Sequence, residues 1–220
     1  MDNNQQIALS SMELDTIGEI LNISMGSAAT AVSSMLDKQV IISTPNVSQK
    51  KFDSMDYVKM EPAMLVTISY VEGISGTNVM VFRQKDMQVI LNLLMGNEDP
   101  PTDDFEFDEL SMSAACEVMN QMMGSSATAL SEFLGMTVNI STPEAKIVES
   151  DDAYREAIAV QEGDDIVAVT FKLDITDVMS TDFASVMPCS LAQNIVSRVL
   201  NQTEEQIDAI PAGSANPAPT

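Results

Sequence analysis

The chain of 220 residues carries 33 acidic against 10 basic side chains, no histidine, and a net charge of -23. That balance argues against nucleic acid and anionic membrane as partners, since no basic stripe could displace their counterions. The missing imidazoles exclude histidine-based triads, phosphorelays and metal cages.

In chain order, the opening Met1-Asp2-Asn3-Asn4-Gln5-Gln6 lacks the basic region of a signal peptide, and residues 1–10 read as a tail. No apolar run approaches the roughly 20 residues of a membrane helix, so no membrane insertion is expected and the cytoplasm is the expected location. A long amphipathic helix follows, because Ile17, Leu21, Ser24, Ala28, Ala31 and Met35 recur at helical spacing. Its small residues Gly26-Ser27-Ala28-Ala29 cost helix propensity in isolation, which points to close approach of another backbone. Val40-Ile41-Ile42-Ser43 reads as a strand ended by Pro45, which cannot donate to a ladder. Residues 63–70 and 77–82 flank Glu72-Gly73-Ile74-Ser75-Gly76 as a hairpin, and 86–95 before Gly96 reads as a helix. The acidic, proline-containing run from Asn97 to Asp104 reads as a linker.

The second half repeats the plan. Met119, Met123, Ala127, Leu130 and Leu134 predict a second long helix, and Val138-Asn139-Ile140-Ser141 a strand ended by Pro143. Residues 157–160, 166–173 and 181–186 read as strands, and Pro188 sits in the first turn of a helix running to Leu200. Residues 204–220 read as a flexible tail, with Pro211 to Thr220 having nothing to bury. Laid over each other, residues 22–45 and 120–143 align without a gap, and 14 of the 24 positions are identical, which marks an internal duplication. The chain is then one domain over 11–203, built of repeats at about 12–98 and 106–202.

Positions i, i+4 and i+7 of a helix lie within roughly 60° of one another, so Asp15, Glu19 and Asn22 form one polar stripe, and Ser113, Glu117 and Asn120 another. Each stripe sets an acceptor-only carboxylate beside a carboxamide that both donates and accepts. A single such stripe is usually no more than a solvated helix face. Here the glutamate and the asparagine keep their register in both copies while neighbours drift, as in Ser34 against Glu132 and Lys38 against Met136. Asp15 and Ser113 lie near the helix starts, where capping or complementing the helix dipole is an equal alternative.

Other groups read more plainly. Cys116 and Cys189 are too few for a disulfide framework and lack zinc-ligand spacing, so both are expected to pack. Met119, Met122 and Met123 fit core filling better than a docking surface. Asp103-Asp104 and Asp151-Asp152 lack calcium-loop spacing and read as solvated loops.

The pattern of Asp or Ser, three residues, Glu, two residues, Asn, then Pro after 22 more, resembles the signature of the CheC, CheX and FliY phosphatases of bacterial chemotaxis. Asp15, Glu19, Asn22 and Pro45 match it, as do Ser113, Glu117, Asn120 and Pro143. The similarity runs from about Met12 to Leu200, and the wording from Asn22 to Ala31 is most like FliY and its CheC relatives. The resemblance implies an α+β, sandwich-like fold of two pseudo-symmetric repeats, each a long helix, strands and a second helix, sharing a mostly antiparallel sheet. It implies hydrolysis of the aspartyl phosphate of the response regulator CheY. Asn22 and Asn120 would hold the attacking water, and Glu19 and Glu117 would pair with the regulator's lysine. The phosphatase would need no cofactor of its own, with Mg2+ carried by the CheY substrate. The alternative implied by the same fold is a non-enzymatic flagellar switch scaffold of FliM or FliY type; FliM-like domains usually lack the glutamate and asparagine pair, which favours the enzyme. FliY normally continues into a FliN-like domain where this sequence stops at Thr220; the resemblance therefore implies either a free CheC-like protein, with the deamidase CheD as a further partner, or a piece of a longer FliY-type chain with the proline and alanine tail as its linker and flagellar switch proteins as partners.

Overall fold

The computed structural model describes residues 8–52, 62–148 and 163–208. The expected strand at 157–160, Asp151-Asp152, the first residues and the chain beyond Asp208 lie outside them. Among the described residues the elements follow in the order α1 (Ser11–Leu36), β1 (Val40–Lys51), β2 (Ala63–Glu72), β3 (Gly76–Arg83), α2 (Gln84–Leu94), α3 (Glu109–Leu134), β4 (Asn139–Ile140), β5 (Glu144–Val148), β6 (Asp165–Ile175), β7 (Met179–Pro188) and α4 (Cys189–Asp208). The strands form one sheet in the order β1-β6-β7-β3-β2-β4, with β5 also paired to β2, and each of these pairings is antiparallel. This is the α+β architecture and shared antiparallel sheet expected from the sequence.

The two repeats are interleaved. β1 of the first pairs with β6 of the second from Val40↔Ile175 to Lys51↔Asp165, and β5 of the second pairs with β2 of the first from Ala63↔Val148 to Thr67↔Glu144. Reversing the strand order exchanges the repeats, so a pseudo-twofold axis passes between β3 and β7. It also passes between α1 and α3, where Ser27 Oγ and Ser125 Oγ, 98 positions apart, lie 2.9 Å from each other and Ser125 Oγ donates to the Ser27 carbonyl at 3.1 Å.

The close approach expected of the small residues is therefore made by the serines. Gly26 and Gly124 face away from the crossing: a Cβ on either would meet no atom within 4 Å. Their carbonyls accept from Thr30 Oγ1 at 3.1 Å and Thr128 Oγ1 at 3.0 Å.

Alternation along the strands separates two apolar clusters. Met64, Val66, Met80, Phe82, Val167, Phe171 and Phe183 join the buried faces of the helices, whereas Leu65, Val79, Val81, Ile166, Ala168 and Val186 form a cluster of opposite parity. Central strands buried on both faces explain the near-continuous apolar runs of β2, β3, β6 and β7. Met119, Met122 and Met123 are buried in the helix-side cluster, as core filling requires.

Several local expectations differ from the structure. β1 does not end at Pro45; it passes through it with a register shift between Ser43 and Asn46. Proline is tolerated there because β1 is an edge strand and the shift removes the ladder bond it could not make. In the second repeat the strand does break, into β4 and β5, around a buried Pro143. Pro188 closes β7, paired with Ile166, and the helix begins one residue later. α4 continues to Asp208 rather than stopping at Leu200, since Glu204, Glu205 and Gln206 favour helix and no breaker intervenes before Pro211. The linker is pinned: Asn92 Nδ2 donates to the Asp99 carbonyl, Gln88 Oε1 accepts from the Thr102 amide, and Lys38 pairs with Glu98 at 2.7 Å.

Each long helix ends in a left-handed residue, Asp37 (φ 50°) in one repeat and Gly135 (φ 57°) in the other. Only glycine holds this conformation without steric cost. Asp37→Gly is accordingly expected to stabilise the protein by up to about 1 kcal/mol, read as a raised urea midpoint; a lowered midpoint would contradict this account of the turn.

Tyr70, on β2, is buried, and its phenol is pushed up to about 12 by desolvation of the charged form. A raised folded-state pKa gives stability that is present below the ordinary tyrosine value of about 10 and is lost as pH rises toward 12. Between about pH 10 and 12 the protein should weaken in urea, and Tyr70→Phe should flatten that decline. An equally steep decline in the variant would assign it to other groups.

Candidate functional site

The N-terminal turns of α1 and α3 fix where the two stripes lie. Ser10 caps α1 in a reciprocal box: its Oγ accepts from the Glu13 amide at 3.3 Å and Glu13 Oε2 accepts from the Ser10 amide at 2.7 Å. The Ser10 amide, and the Ser10 hydroxyl donating to the same oxygen at 2.8 Å, hold the Glu13 carboxyl below its usual range. Asp108 Oδ1 caps α3 by accepting from the Ser111 amide at 2.8 Å, which likewise lowers its carboxyl. The caps thus fall outside the stripes. Asp15 and Ser113 are the fifth residue of each helix, beyond the first turn over which the dipole acts, so neither capping nor dipole complementation accounts for them.

Asp15 and Glu19 are exposed and Asn22 is half-buried on α1; Ser113, Glu117 and Asn120 are exposed on α3. The buried face of α1, from Ile17 and Ile20 to Ala28 and Val32, lies opposite the stripe. Ser27, at the helix crossing, is five residues past Asn22 and about 140° round the helix from it. Both stripes therefore look outward on separate faces related by the pseudo-twofold axis; the structure does not bring them into one site.

The far ends of the motif do come together in the second repeat. Ser113, Glu117 and Asn120 line an open depression with Thr142, Pro143 and Ala145, although 23 positions separate Asn120 from Pro143. The Ser131 hydroxyl positions this turn: it accepts from the Val138 amide at 2.9 Å and donates to the Val138 carbonyl at 3.2 Å. Ser33 does the same for Val40, at 2.9 and 3.3 Å. These serines were missed as functional supports, though their identity in the two repeats was the available signal. On the first face Gly18 lies under Val47, whose Cγ2 would be 3.4 Å from a Cβ at that glycine. Cys116 and Ala145 occupy the matching positions and line the depression instead.

The site chemistry is that of carboxylate and carboxamide. Glu117 Oε1 accepts from Gln121 Nε2 at 2.9 Å. Among the described residues no group of three or more Cys, Asp or Glu is gathered as for a metal ion, and no helix is long and apolar enough to cross a membrane. Cys116 is free, and Cys189 is free and buried, donating to the Asp165 carbonyl at 3.4 Å; its thiol is pushed up to about 11, chiefly by burial.

Comparison with known proteins connects this geometry to a family. The model of the CheC-like family matches residues 12–48 and 110–147, the helix and following strand of each repeat. The chain is 33% identical over 193 residues to the flagellar motor switch phosphatase FliY of Bacillus subtilis (strain 168), covering 88% of this chain and 50% of that protein. It is 25% identical over 138 residues to the CheY-P phosphatase CheC of the same organism, covering 61% of this chain and 66% of that protein. The chain thus spans half the length of one of these relatives and about two thirds of the other. The crystal structure of Thermotoga maritima FliY superposes with a TM-score of 0.79 at 34% identity, over 89% of this chain and all of that one.

Proposed function

Because this chain belongs to the CheC-like family, we propose that it hydrolyses the aspartyl phosphate of a CheY-type response regulator at two sites, one on α1 and one on α3. The observation that carries the proposal is the duplicated Glu and Asn pair, held at one register on two outward-facing helices, in a chain whose relatives include a protein named as a CheY-P phosphatase. In the reaction a water oxygen bonds to phosphorus as the bond to the aspartyl oxygen breaks. The electron pair returns to the aspartate, and the water proton leaves with the released phosphate.

Asn22 and Asn120 suit the placing of that water, since a carboxamide can accept from one of its protons and donate to its oxygen. The contribution is orientation rather than basicity, the larger part of the barrier in phosphoryl transfer. Glu19 and Glu117 would take a partner lysine in a charge-assisted bond that fixes the docking. Asp15 and Ser113, one turn earlier, would border the contact. We place the Mg2+ of this chemistry on the regulator, with no cofactor on this chain. A net charge of -23 offers no steering toward an acidic partner, so short-range contacts must set the affinity.

The similarity to a flagellar motor switch phosphatase favours a second element, attachment to flagellar switch proteins, alongside the activity rather than in place of it. The deamidase CheD is a further candidate partner on the family resemblance alone. Free thiols at Cys116 and Cys189 support a reducing, cytoplasmic setting. The direct test mixes the purified chain with a phosphorylated CheY-type regulator and follows phosphate release. Acceleration over the regulator's own hydrolysis is expected; an unchanged rate, with binding to switch proteins retained, would leave only a scaffold.

A further inference from the structure

Two turns before each glutamate, on the same helix face, the structure leaves a large apolar side chain in solvent, and it does so twice in register. Met12 is 69% exposed and Leu110 is 74% exposed, and the two are 98 positions apart, the repeat interval. Each precedes its glutamate by seven residues, so at 100° per residue it lies within about 20° of Glu19 or Glu117 on the same face. One exposed apolar residue means little on a protein surface. Two at equivalent places, on the faces that carry the glutamate and asparagine pairs, form a pattern.

The faces then diverge. One turn past Glu19 stands Ile23, 46% exposed, so that Glu19 lies between two apolar side chains. The equivalent of Ile23 is Gln121, whose amide is bonded to Glu117. One turn past each asparagine the surface falls away at Gly26 and Gly124, leaving room for an opposing surface to lie flat.

We propose that Met12 and Ile23 on α1, and Leu110 on α3, are the apolar anchors on which the phosphorylated regulator docks, and that the α1 face binds it more tightly. The inference rests on reading the Glu and Asn pairs as phosphatase sites. The partner surface it requires is a lysine ringed by apolar side chains. Apolar anchors at the centre of a contact carry most of its affinity, and they exclude water from the charged pair they surround. A glutamate flanked by Met12 and Ile23 would meet the lysine in a drier setting than Glu117, which must also surrender its bond to Gln121.

The test isolates each face with an asparagine substitution and reads KM and kcat for phosphate release from a phosphorylated CheY-type regulator. With Asn120→Ala present, Met12→Ser and Ile23→Gln should each raise KM about 3- to 10-fold and leave kcat within twofold, the sign of lost uniform binding. With Asn22→Ala present, Leu110→Ser should raise KM and Gln121→Ile should lower it about threefold. All four positions are on the surface, so circular dichroism should be unchanged. Unaltered KM values, or effects confined to kcat, would overturn the anchors while leaving the phosphatase reading intact. Activity surviving in Asn22→Ala/Asn120→Ala would instead remove the Glu and Asn pairs as the sites of hydrolysis, and the anchors with them, whereas no acceleration by the unsubstituted chain would overturn the phosphatase reading itself.

Discussion

Replacing Asn22 and Asn120 together by alanine is expected to lower the phosphatase rate by about 100-fold or more, to the regulator's own rate of hydrolysis. The magnitude follows from the role assigned: a water left unoriented loses the near-attack geometry, and a misplacement of about 1 Å is worth roughly 100-fold. Either substitution alone should leave part of the activity, because the two stripes face outward from different helices and share no residue. Asn120 is exposed and Asn22 half-buried on a helix surface, so neither change should disturb folding. Glu19→Gln or Glu117→Gln should act differently, raising KM more than lowering kcat, since the glutamate is assigned to docking. Phosphate release from the doubly substituted protein at the unsubstituted rate would remove both asparagines from the mechanism.

The second large effect concerns stability. Phe183 on β7 lies between Phe82 of β3 and Phe171 of β6, with ring centroids 5.0 and 5.1 Å away and planes within 17° and 18° of parallel. It is buried, directly opposite Phe171 in the β6–β7 ladder, and it touches across the pseudo-twofold axis to Phe82. Phe183→Ala removes a core side chain and two ring contacts at the seam where the repeats meet. The expected cost is about 3–5 kcal/mol. That is a large share of the roughly 5–15 kcal/mol available to a folded chain, and for a protein of this size it lowers the thermal midpoint by about 6–20 °C. A loss below about 1 kcal/mol in urea unfolding would show that the seam repacks around the cavity.

The parts of this architecture that were legible in the sequence are those written in local periodicity. The long helices, the β2–β3 hairpin and α2 follow from apolar spacing and from Gly73 and Gly76, which adopt φ of 82° and 139° at the turn. The duplication followed from residue identity, and with helical periodicity it places both stripes on exposed helix faces. Strand partners were not legible. Nothing local to Val40–Lys51 states that it pairs with β6 of the other repeat, or that an edge position lets it run through Pro45. β5 was missed because Glu144-Ala145-Lys146-Ile147-Val148 is short and follows a proline; only the open flank of β2 makes it a strand. At the helix crossing, Gly26 and Gly124 drew attention for their size, but helical phase puts Ser27 and Ser125 at the contact. The depression beside Asn120 needed the fold as well, since Pro143 reaches it only through the turn held by Ser131.

The exchange of strands between repeats bears on how the chain is made. β1 leaves the ribosome well before β6, the strand it pairs with, because about 120 residues separate them. At about 5–20 residues per second that interval lasts on the order of 6–25 s. During it, the apolar face of α1 lacks α3 and the inner edge of β1 lacks β6, which they meet in the finished protein. The nascent first half is therefore an unfinished surface for a fixed period, in a chain that cannot complete its sheet until β6 and β7 have emerged. Slowing translation after Lys51 should lengthen the exposure and increase aggregation, whereas slowing it after Pro188 should not.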